Sequence, residues 1–240
     1  MTPLLEAAIE AHGGLKRWAE VRTIIVSGSI TGAIWAIKGQ ANYLKDIVMR
    51  VDTQRQQIVT DFSEQDKRLT YRPGRVTLET PTGRISQERN QPEASFAGQS
   101  LETPWDPLHV AYFHGEALWT YLNTPFLYAQ PGFLTEEIGP IEVDGERWQR
   151  LKVTFPEHIK SHTKEQISCF GPDRLLRRHD YTVDILGGAT GLNYAYDYQE
   201  VDGLQFFTKR RVYAYEGDYV RVPEPVLVNI DVSRITLERT

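Results

Sequence analysis

Polar side chains interrupt an apolar segment near the middle of the chain. His109, His114 and Glu116 lie there among leucine, alanine and aromatic residues. A buried imidazole or carboxylate has to be hydrogen-bonded or shifted in pKa, and such groups can act as general acids or bases. The pattern therefore predicts either convergent polar groups in an apolar ligand cavity or an ion pair between Glu116 and an arginine of a neighbouring strand.

A second polar group flanks the turn Gly171-Pro172-Asp173. A hairpin closed by this turn places Gln166 opposite His179 and puts His162 on the same face, because alternate residues of a strand share a face. A sheet face this polar is either solvated or lines a wet cavity. The candidates for acid–base chemistry are His109, His114, Glu116, His162 and His179.

Aromatic residues are candidates for contacts with an apolar ligand. Some lie on the same segment as the central histidines. Others alternate along a strand-like stretch, where tyrosines can line a pocket for a flat molecule. The candidate ligand-binding residues are Tyr112, Phe113, Trp119, Tyr121, Tyr194 and Tyr196.

Other kinds of site find little support in the sequence. His109 and His114 lie five residues apart, about 140° around a helix, so they cannot easily share a metal ion, and the chain has no H-E-x-x-H pattern. Cys169 stands beside apolar residues and is expected to be a small buried hydrophobe. The glycines of 187–191 precede a strand-like stretch rather than a helix, which predicts a turn and not a phosphate loop. We expect no metal site and no cofactor.

The positions of these candidates depend on one helix and many strands. Asp106 suits the N-cap of that helix and Pro107 its first residue, while apolar side chains all around it are typical of a buried helix. Period-two alternation predicts strands before and after it. The expected parts are a helical cap over 1–20, strands over 21–89, a plug helix over 106–122 and further strands over 133–238.

So many strands without intervening helices predict a large antiparallel sheet. A sheet of about ten or more strands must curl, close or be covered. A helix that is apolar on every side must sit inside something. We therefore expect a mainly β (α+β) protein with a single domain over 1–240, in which a curved antiparallel sheet forms an incomplete barrel around the buried helix.

The composition limits the class of protein further. The chain has 240 residues, a formal net charge of −5 and 40% hydrophobic residues, which is typical of a globular protein and argues against a nucleic-acid partner. No stretch reaches the roughly 18–20 apolar residues of a transmembrane helix, and the first residues lack the pattern of a secretory signal. We expect a cytoplasmic protein, or a periplasmic one if a signal has been removed.

Three stretches resemble sequences of a known superfamily: Ala11–Trp18 leading into Val21–Ile30, Trp105–Phe113 and Leu175–Tyr181. They are similar to the half-barrel lipoprotein-carrier (outer-membrane lipoprotein-sorting-like) superfamily, in its uncharacterised bacterial branch. The resemblance implies an unclosed antiparallel barrel with helices in its mouth and an apolar cavity for acyl chains. It implies no catalytic residue.

Two functions and one mode of assembly are compatible with these patterns. The first function is binding or carrying an apolar small molecule or lipid in the cavity. The second is an enzyme of cyclase, isomerase or hydrolase type that acts on an apolar molecule by His, Glu and Tyr acid–base chemistry. The mode of assembly is a homodimer or scaffold that pairs through the C-terminal strand, where Val226, Val228, Ile230 and Val232 share one side.

Overall fold

The computed structural model describes residues 1–62 and 65–239. The expected domain also includes Ser63, Glu64 and Thr240, which lie outside the described residues. The helices are α1 Pro3–Ala11, α2 Leu15–Trp18, α3 Ala33–Ile37 and α4 Pro107–Asn123, with short 3-10 turns at Pro92–Phe96, Phe126–Ala129 and Asp184–Leu186. The strands are β1 Val21–Thr31, β2 Leu44–Asp52, β3 Ile58–Phe62, β4 Arg68–Arg72, β5 Arg75–Glu79, β6 Ile85–Asn90, β7 Leu134–Val143, β8 Glu146–Thr154, β9 Glu165–Phe170, β10 Leu176–Val183, β11 Ala189–Val201, β12 Leu204–Tyr213, β13 Tyr215–Glu216, β14 Val220–Arg221 and β15 Val228–Arg239.

Within the described part of the chain, thirteen strands form one antiparallel sheet. Their order is β6-β5-β4-β3-β2-β1-β15-β12-β11-β10-β9-β8-β7, and β13 pairs separately with β14. The end strands β6 and β7 do not pair with each other, so the described sheet is open. This confirms the expected mainly β fold with an unclosed, curved sheet.

The C-terminal strand β15 lies inside the sheet and joins its two halves. It pairs with β1, where Ile230 faces Ile30, and with β12, where Ile230 faces Arg210. A strand with neighbours on both sides offers no free backbone edge to a partner. The hypothesis of a homodimer that pairs through this strand is therefore wrong, and Val228 and Ile230 face the interior.

Helix α4 begins at a complete capping box. The Asp106 carboxylate accepts hydrogen bonds from the backbone N–H of Leu108 and His109 at 3.0 and 2.9 Å, and His109 Nδ1 accepts from the Asp106 N–H at 3.2 Å. These bonds satisfy donors that every helix start leaves free. Every residue from Leu108 to Asn123 is buried, as an all-round apolar helix requires. No helix of the described residues is long and apolar enough to cross a membrane.

The close approach of α4 to β4 requires a glycine. A Cβ on Gly115 would overlap the Cβ and Cγ atoms of Tyr71. We expect Gly115→Ala to lower the free energy of unfolding by about 1–3 kcal/mol, the usual cost of overpacking, although alanine favours helices. Urea unfolding measures this change. The matched control is Gly139→Ala, where a Cβ meets nothing within 4 Å, and equal midpoints for the two variants would contradict the close packing.

One expected strand is shorter in the structure. The alternation of apolar residues predicts a strand over Val21–Lys38, but β1 ends at Thr31 and α3 begins at Ala33. Gly32 separates them with a φ of 119°, a backbone conformation that interrupts a strand and favours glycine. As a result, Ile34 and Trp35 of α3 close over the interior instead of extending the sheet edge.

The N-terminal helices α1 and α2 and the residues next to them pack against distant parts of the chain. Trp18 of α2 stacks on Phe126, with ring centroids 4.3 Å apart and an interplanar angle of 9°. His12, directly after α1, is buried between chain segments: its Nδ1 donates to the Ala8 carbonyl at 2.7 Å, and its Nε2 accepts from the Leu176 N–H at 3.5 Å. Both ring nitrogens are therefore hydrogen-bonded when the imidazole is neutral.

Candidate functional site

A cavity of about 330 Å³ lies between α4 and the sheet half that runs from β1 through β15 to β10. Helix α4 packs on the other half, against β4 and β5, and thus leaves this side unfilled. The helix contributes Phe113, His114, Ala117, Leu118 and Tyr121 to the wall. The sheet contributes Ile30, Tyr181, Val183, Val212, Val228 and Ile230, among others. The wall is thus mainly aliphatic and aromatic, as in sites for apolar ligands.

The cavity reaches the surface beside α3. Two apolar residues of its wall, Ile37 and Leu101, are 38% and 50% exposed. Leu101 belongs to the irregular segment that precedes α4. A ligand can therefore enter between α3 and this segment without separating the sheet.

Glu116 and His162 form a buried pair beside the cavity. The Glu116 Oε1 atom lies 3.0 Å from His162 Nδ1, although the ring N–H is poorly aligned for a hydrogen bond. The Tyr112 hydroxyl also bonds to Glu116, and burial followed by that carboxylate raises the pKa of Tyr112. The expected arginine partner of Glu116 is therefore wrong, because a histidine from the loop before β9 takes that place.

His109 and His114 have structural hydrogen bonds. His109 completes the capping box, with its Nε2 3.0 Å from the Gln99 side-chain amide nitrogen. His114 donates from Nδ1 to the Val110 carbonyl at 2.7 Å, and its Nε2 accepts from the Thr60 hydroxyl at 2.9 Å. Burial lowers the pKa of His114 to about 4, so its neutral form is favoured. Of these two histidines, His114 also borders the cavity.

A row of polar side chains crosses the inner face of the sheet. His179 of β10 pairs with Ser168 of β9 on one side and with Asn193 of β11 on the other. The expected pairing of His179 with Gln166 is wrong: the Leu176–Phe170 pair already lies one residue from the expected register, and a register shift between Leu176 and Arg178 adds a second. Ser168 bonds to the Tyr128 hydroxyl at 2.9 Å, and Asn193 lies beside the hydroxyls of Tyr121 and Tyr181, but both nitrogens of His179 have no partner among the described residues.

Arg210 stands next to this row on the neighbouring strand β12. Its side chain is fully buried, and its Nε and Nη1 atoms have no hydrogen-bond partner in the described structure. Its guanidinium carbon lies 4.7 Å from the ring centroid of Tyr121 and 4.1 Å from that of Phe207. Burial lowers the pKa of Arg210, but a guanidinium remains charged in proteins. Burial, and then the Arg210 charge, hold the pKa of His179 well below its ordinary value.

Two tyrosines separate this polar group from the apolar cavity. Tyr121 and Tyr181 both line the cavity, and their hydroxyls share a hydrogen bond of 2.7 Å. Burial raises the pKa of Tyr181 to about 12, so its hydroxyl stays protonated at neutral pH and can donate. The cavity thus ends at a polar floor.

The candidate aromatic residues lie in three places. Phe113 and Tyr121 line the cavity. Tyr112 packs against Tyr71 and Phe96 on the far side of α4, and the Trp119 indole donates to the Asp52 carbonyl at 2.7 Å. The structure does not place Tyr194 or Tyr196 in the cavity. They stack on each other on the outer face of the sheet, because strand alternation puts them opposite to Asn193.

The outer face has its own buried charges. Arg178 donates two hydrogen bonds to Asp180, at 2.6 and 2.8 Å, and both side chains are buried beside Trp148. Cys169 lies in the same cluster with its Sγ 3.7 Å from Asp180, and burial raises the pKa of its thiol. The structure thus places the cysteine as a small buried group. Among residues 1–62 and 65–239, no group of three or more metal-ligating side chains comes together.

Sequence reasoning missed Arg210 as a site residue. In the sequence, the run Lys209-Arg210-Arg211 predicts solvated or paired charges. Strand alternation separates Arg210 from its two basic neighbours and puts it on the face of Val212, two residues later. That alternation is the available signal, but the direction of the interior follows only from the assembled sheet.

Comparisons with known proteins concern the fold. No protein-family model matches the sequence, and the curated proteins give no significant match. A LolA superfamily protein from Nitrosomonas europaea has a similar structure with a TM-score of 0.54 and 9% identity, over 99% of this chain and 93% of the other. A DUF1329 family protein from Desulfovibrio piger has a TM-score of 0.49 and 13% identity, over 98% and 92%. A domain named for outer membrane lipoprotein sorting, from Vibrio parahaemolyticus, has a TM-score of 0.48 and 12% identity, over 98% of this chain and 92% of the other.

Proposed function

The protein has the half-barrel fold of the LolA superfamily, and from this premise we propose that it binds an apolar small molecule or lipid chain. The binding site is the cavity between α4 and the sheet. The observation that carries the proposal is an apolar cavity of about 330 Å³ that opens beside α3. Its volume is near the lower end of the roughly 300–1,000 Å³ of ligand pockets, which suits a single chain better than several.

The chemistry of the wall supports this proposal. Side chains of α4 face β-branched residues of the sheet across the cavity, so a bound hydrocarbon contacts mainly apolar atoms. Each methylene group that leaves water contributes about 0.8 kcal/mol. A chain of about ten carbons therefore gains about 8 kcal/mol before the cost of association is subtracted, so a longer chain is needed for tight binding.

Filling the cavity tests the proposal. Val212 is buried in the wall, and Val212→Phe adds an aromatic ring to the space a ligand would occupy. We expect the variant to bind the neutral fluorescent probe N-phenyl-1-naphthylamine at least about tenfold more weakly, because the apolar surface available to the probe is lost. Fluorescence titration measures the dissociation constant.

The matched control makes the same substitution on the surface. Val220 of β14 is 65% exposed and lies outside the cavity wall. We expect Val220→Phe to bind the probe within about twofold of the wild-type protein. Equal affinities for all three proteins would contradict binding in this cavity.

The enzyme alternative stays a prediction, and the Glu116–His162 pair is the feature that keeps it testable. His162 borders the cavity and its Nδ1 lies 3.0 Å from the Glu116 carboxylate, an arrangement that can orient a general base. Hydrolysis of p-nitrophenyl dodecanoate by the wild-type protein and its loss in His162→Gln would support an enzyme. Equal background rates for both proteins would count against it.

The cytoplasmic location expected from the sequence also stays a prediction. Cell fractionation with an antibody against the protein tests it. Recovery with periplasmic markers would contradict the cytoplasmic expectation and would place the site among proteins that meet exported lipids.

A further inference from the structure

The buried charge of Arg210 is not balanced by the protein. The other fully enclosed arginine, Arg178, has a bidentate ion pair with Asp180. Arg210 has no ion pair with any described residue. The ionisable side chains around its charge are tyrosines that stay neutral, namely Tyr198, Tyr121, Tyr181 and Tyr128. A buried charge without a counter-charge is costly, which indicates that the position serves an anion.

Neighbouring polar atoms share the same deficit. His179 and Asn193 lie side by side across β10 and β11; both ring nitrogens of His179 have no hydrogen-bond partner within the described residues, and Asn193 lies beside the hydroxyls of Tyr121 and Tyr181. Asn193 pairs with Val212, two residues from Arg210, so its side chain is a diagonal neighbour of the guanidinium. Buried polar groups are nearly always hydrogen-bonded, and several unsatisfied groups together are the mark of a missing polar partner.

Arg210 and its polar neighbours lie close to the cavity. Val212 lies two residues along β12, and Ile230 lies directly across on β15; both are on the same face as Arg210, and both line the cavity. Tyr121 lies between the cavity and the guanidinium and touches both. A molecule in the cavity therefore ends beside Tyr121 and pairs with Arg210 once that ring moves aside.

We propose that the ligand of the cavity is a long-chain carboxylic acid whose carboxylate pairs with Arg210 while its hydrocarbon chain fills the apolar wall. This inference rests on the proposed ligand-binding function. One guanidinium among neutral groups matches one negative charge, which favours a carboxylate over a phosphate monoester of about −1.5 to −2. A planar carboxylate also fits the fork of guanidinium donors. It accepts hydrogen bonds from the hydroxyls of Tyr121 and Tyr181 in place of the bond that they now share.

Matched ligands test the head group. The full chain, freed of co-purified molecules on a hydrophobic resin, is titrated with dodecanoate, 1-dodecanol and dodecyl phosphate by isothermal calorimetry. We expect dodecanoate to bind at least about tenfold more tightly than 1-dodecanol, because a hydrogen-bonded charge pair is lost with the alcohol. We expect Arg210→Met to abolish this preference, whereas Val220→Phe, outside the cavity wall, should retain it.

The outcomes separate the two proposals. Equal affinity of the wild-type protein for the acid and the alcohol, or an acid preference that persists in Arg210→Met, would overturn the carboxylate site and leave the proposed function standing. Tighter binding of dodecyl phosphate would replace the carboxylate by a phosphate. Absence of binding of all three ligands would overturn both proposals. Partial retention of the acid preference in Arg210→Lys supports the charge pair, since lysine keeps the charge but loses the planar fork.

Discussion

Replacing Arg210 with methionine is expected to raise the free energy of unfolding of the ligand-free protein by about 1–3 kcal/mol. The reason is the cost of holding a charge in the interior without a partner, which is several kcal/mol. The contacts with the rings of Tyr121 and Phe207 offset only part of this cost, because a cation–π contact contributes about 0.5–2 kcal/mol. Methionine has an unbranched, flexible side chain that can fill the space. Urea unfolding at neutral pH measures the change.

Arg178 provides the matched control for this prediction. It is also buried, but it has a bidentate pair with Asp180. Arg178→Met leaves the Asp180 carboxylate buried alone and is expected to lower the free energy of unfolding by about 3–5 kcal/mol. The same substitution thus has opposite signs at the two sites. A loss of stability in Arg210→Met as large as that in Arg178→Met would mean that Arg210 supports the fold rather than a ligand.

Acidification is expected to destabilise the protein strongly between about pH 6.5 and pH 4. Burial lowers the pKa values of His12 and His114 to about 4 from an ordinary value near 6.5. The unfolded chain therefore binds protons in this range that the folded protein does not, so stability is intact above pH 6.5 and falls as the pH approaches 4. Each histidine accounts for a loss of about 3 kcal/mol. His179, whose pKa is also depressed, adds to the loss.

The size of this effect matters because domains are stable by only about 5–15 kcal/mol. His12 and His114 together remove about 6 kcal/mol, so the folded state becomes marginal near pH 4. Urea unfolding over a series of pH values measures the dependence. His114→Gln should reduce the slope of the free energy of unfolding against pH by the equivalent of about one proton. His158→Gln, at an exposed position, should leave this slope unchanged. A free energy of unfolding that stays level from pH 7 to pH 4 would contradict the assignment.

The expected effects of Arg210 on stability and on ligand binding are connected. Arg210 reduces the stability of the free protein and gains a partner when an acid binds, so dodecanoate should stabilise the wild-type protein more than Arg210→Met. Retaining a destabilising group at a site of function is a common compromise in proteins. The unpaired guanidinium is thus easier to explain by a ligand than by packing.

The elements and the general architecture can be predicted from the sequence. Asp106 and Pro107 mark the start of α4, and the alternation in Arg68–Arg72 and Arg75–Glu79 predicts β4 and β5 with their observed bounds. Caps, turns and alternation act over a few residues, so they can be read along the chain. The all-round apolar character of α4 also indicated that a curved sheet surrounds it.

Which polar side chains contact each other depends on the tertiary structure. Glu116 pairs with His162 across 46 positions of the chain, and a register shift near Leu176 brings Ser168 opposite His179. Arg210 lies on the inner face of β12, because Val212 and Ile230 on the same face line the cavity. Alternation tells that Arg210 faces away from Lys209 and Arg211, but not which face is inside. That choice depends on contacts among distant strands, since burial is a property of the whole sheet and not of any one segment.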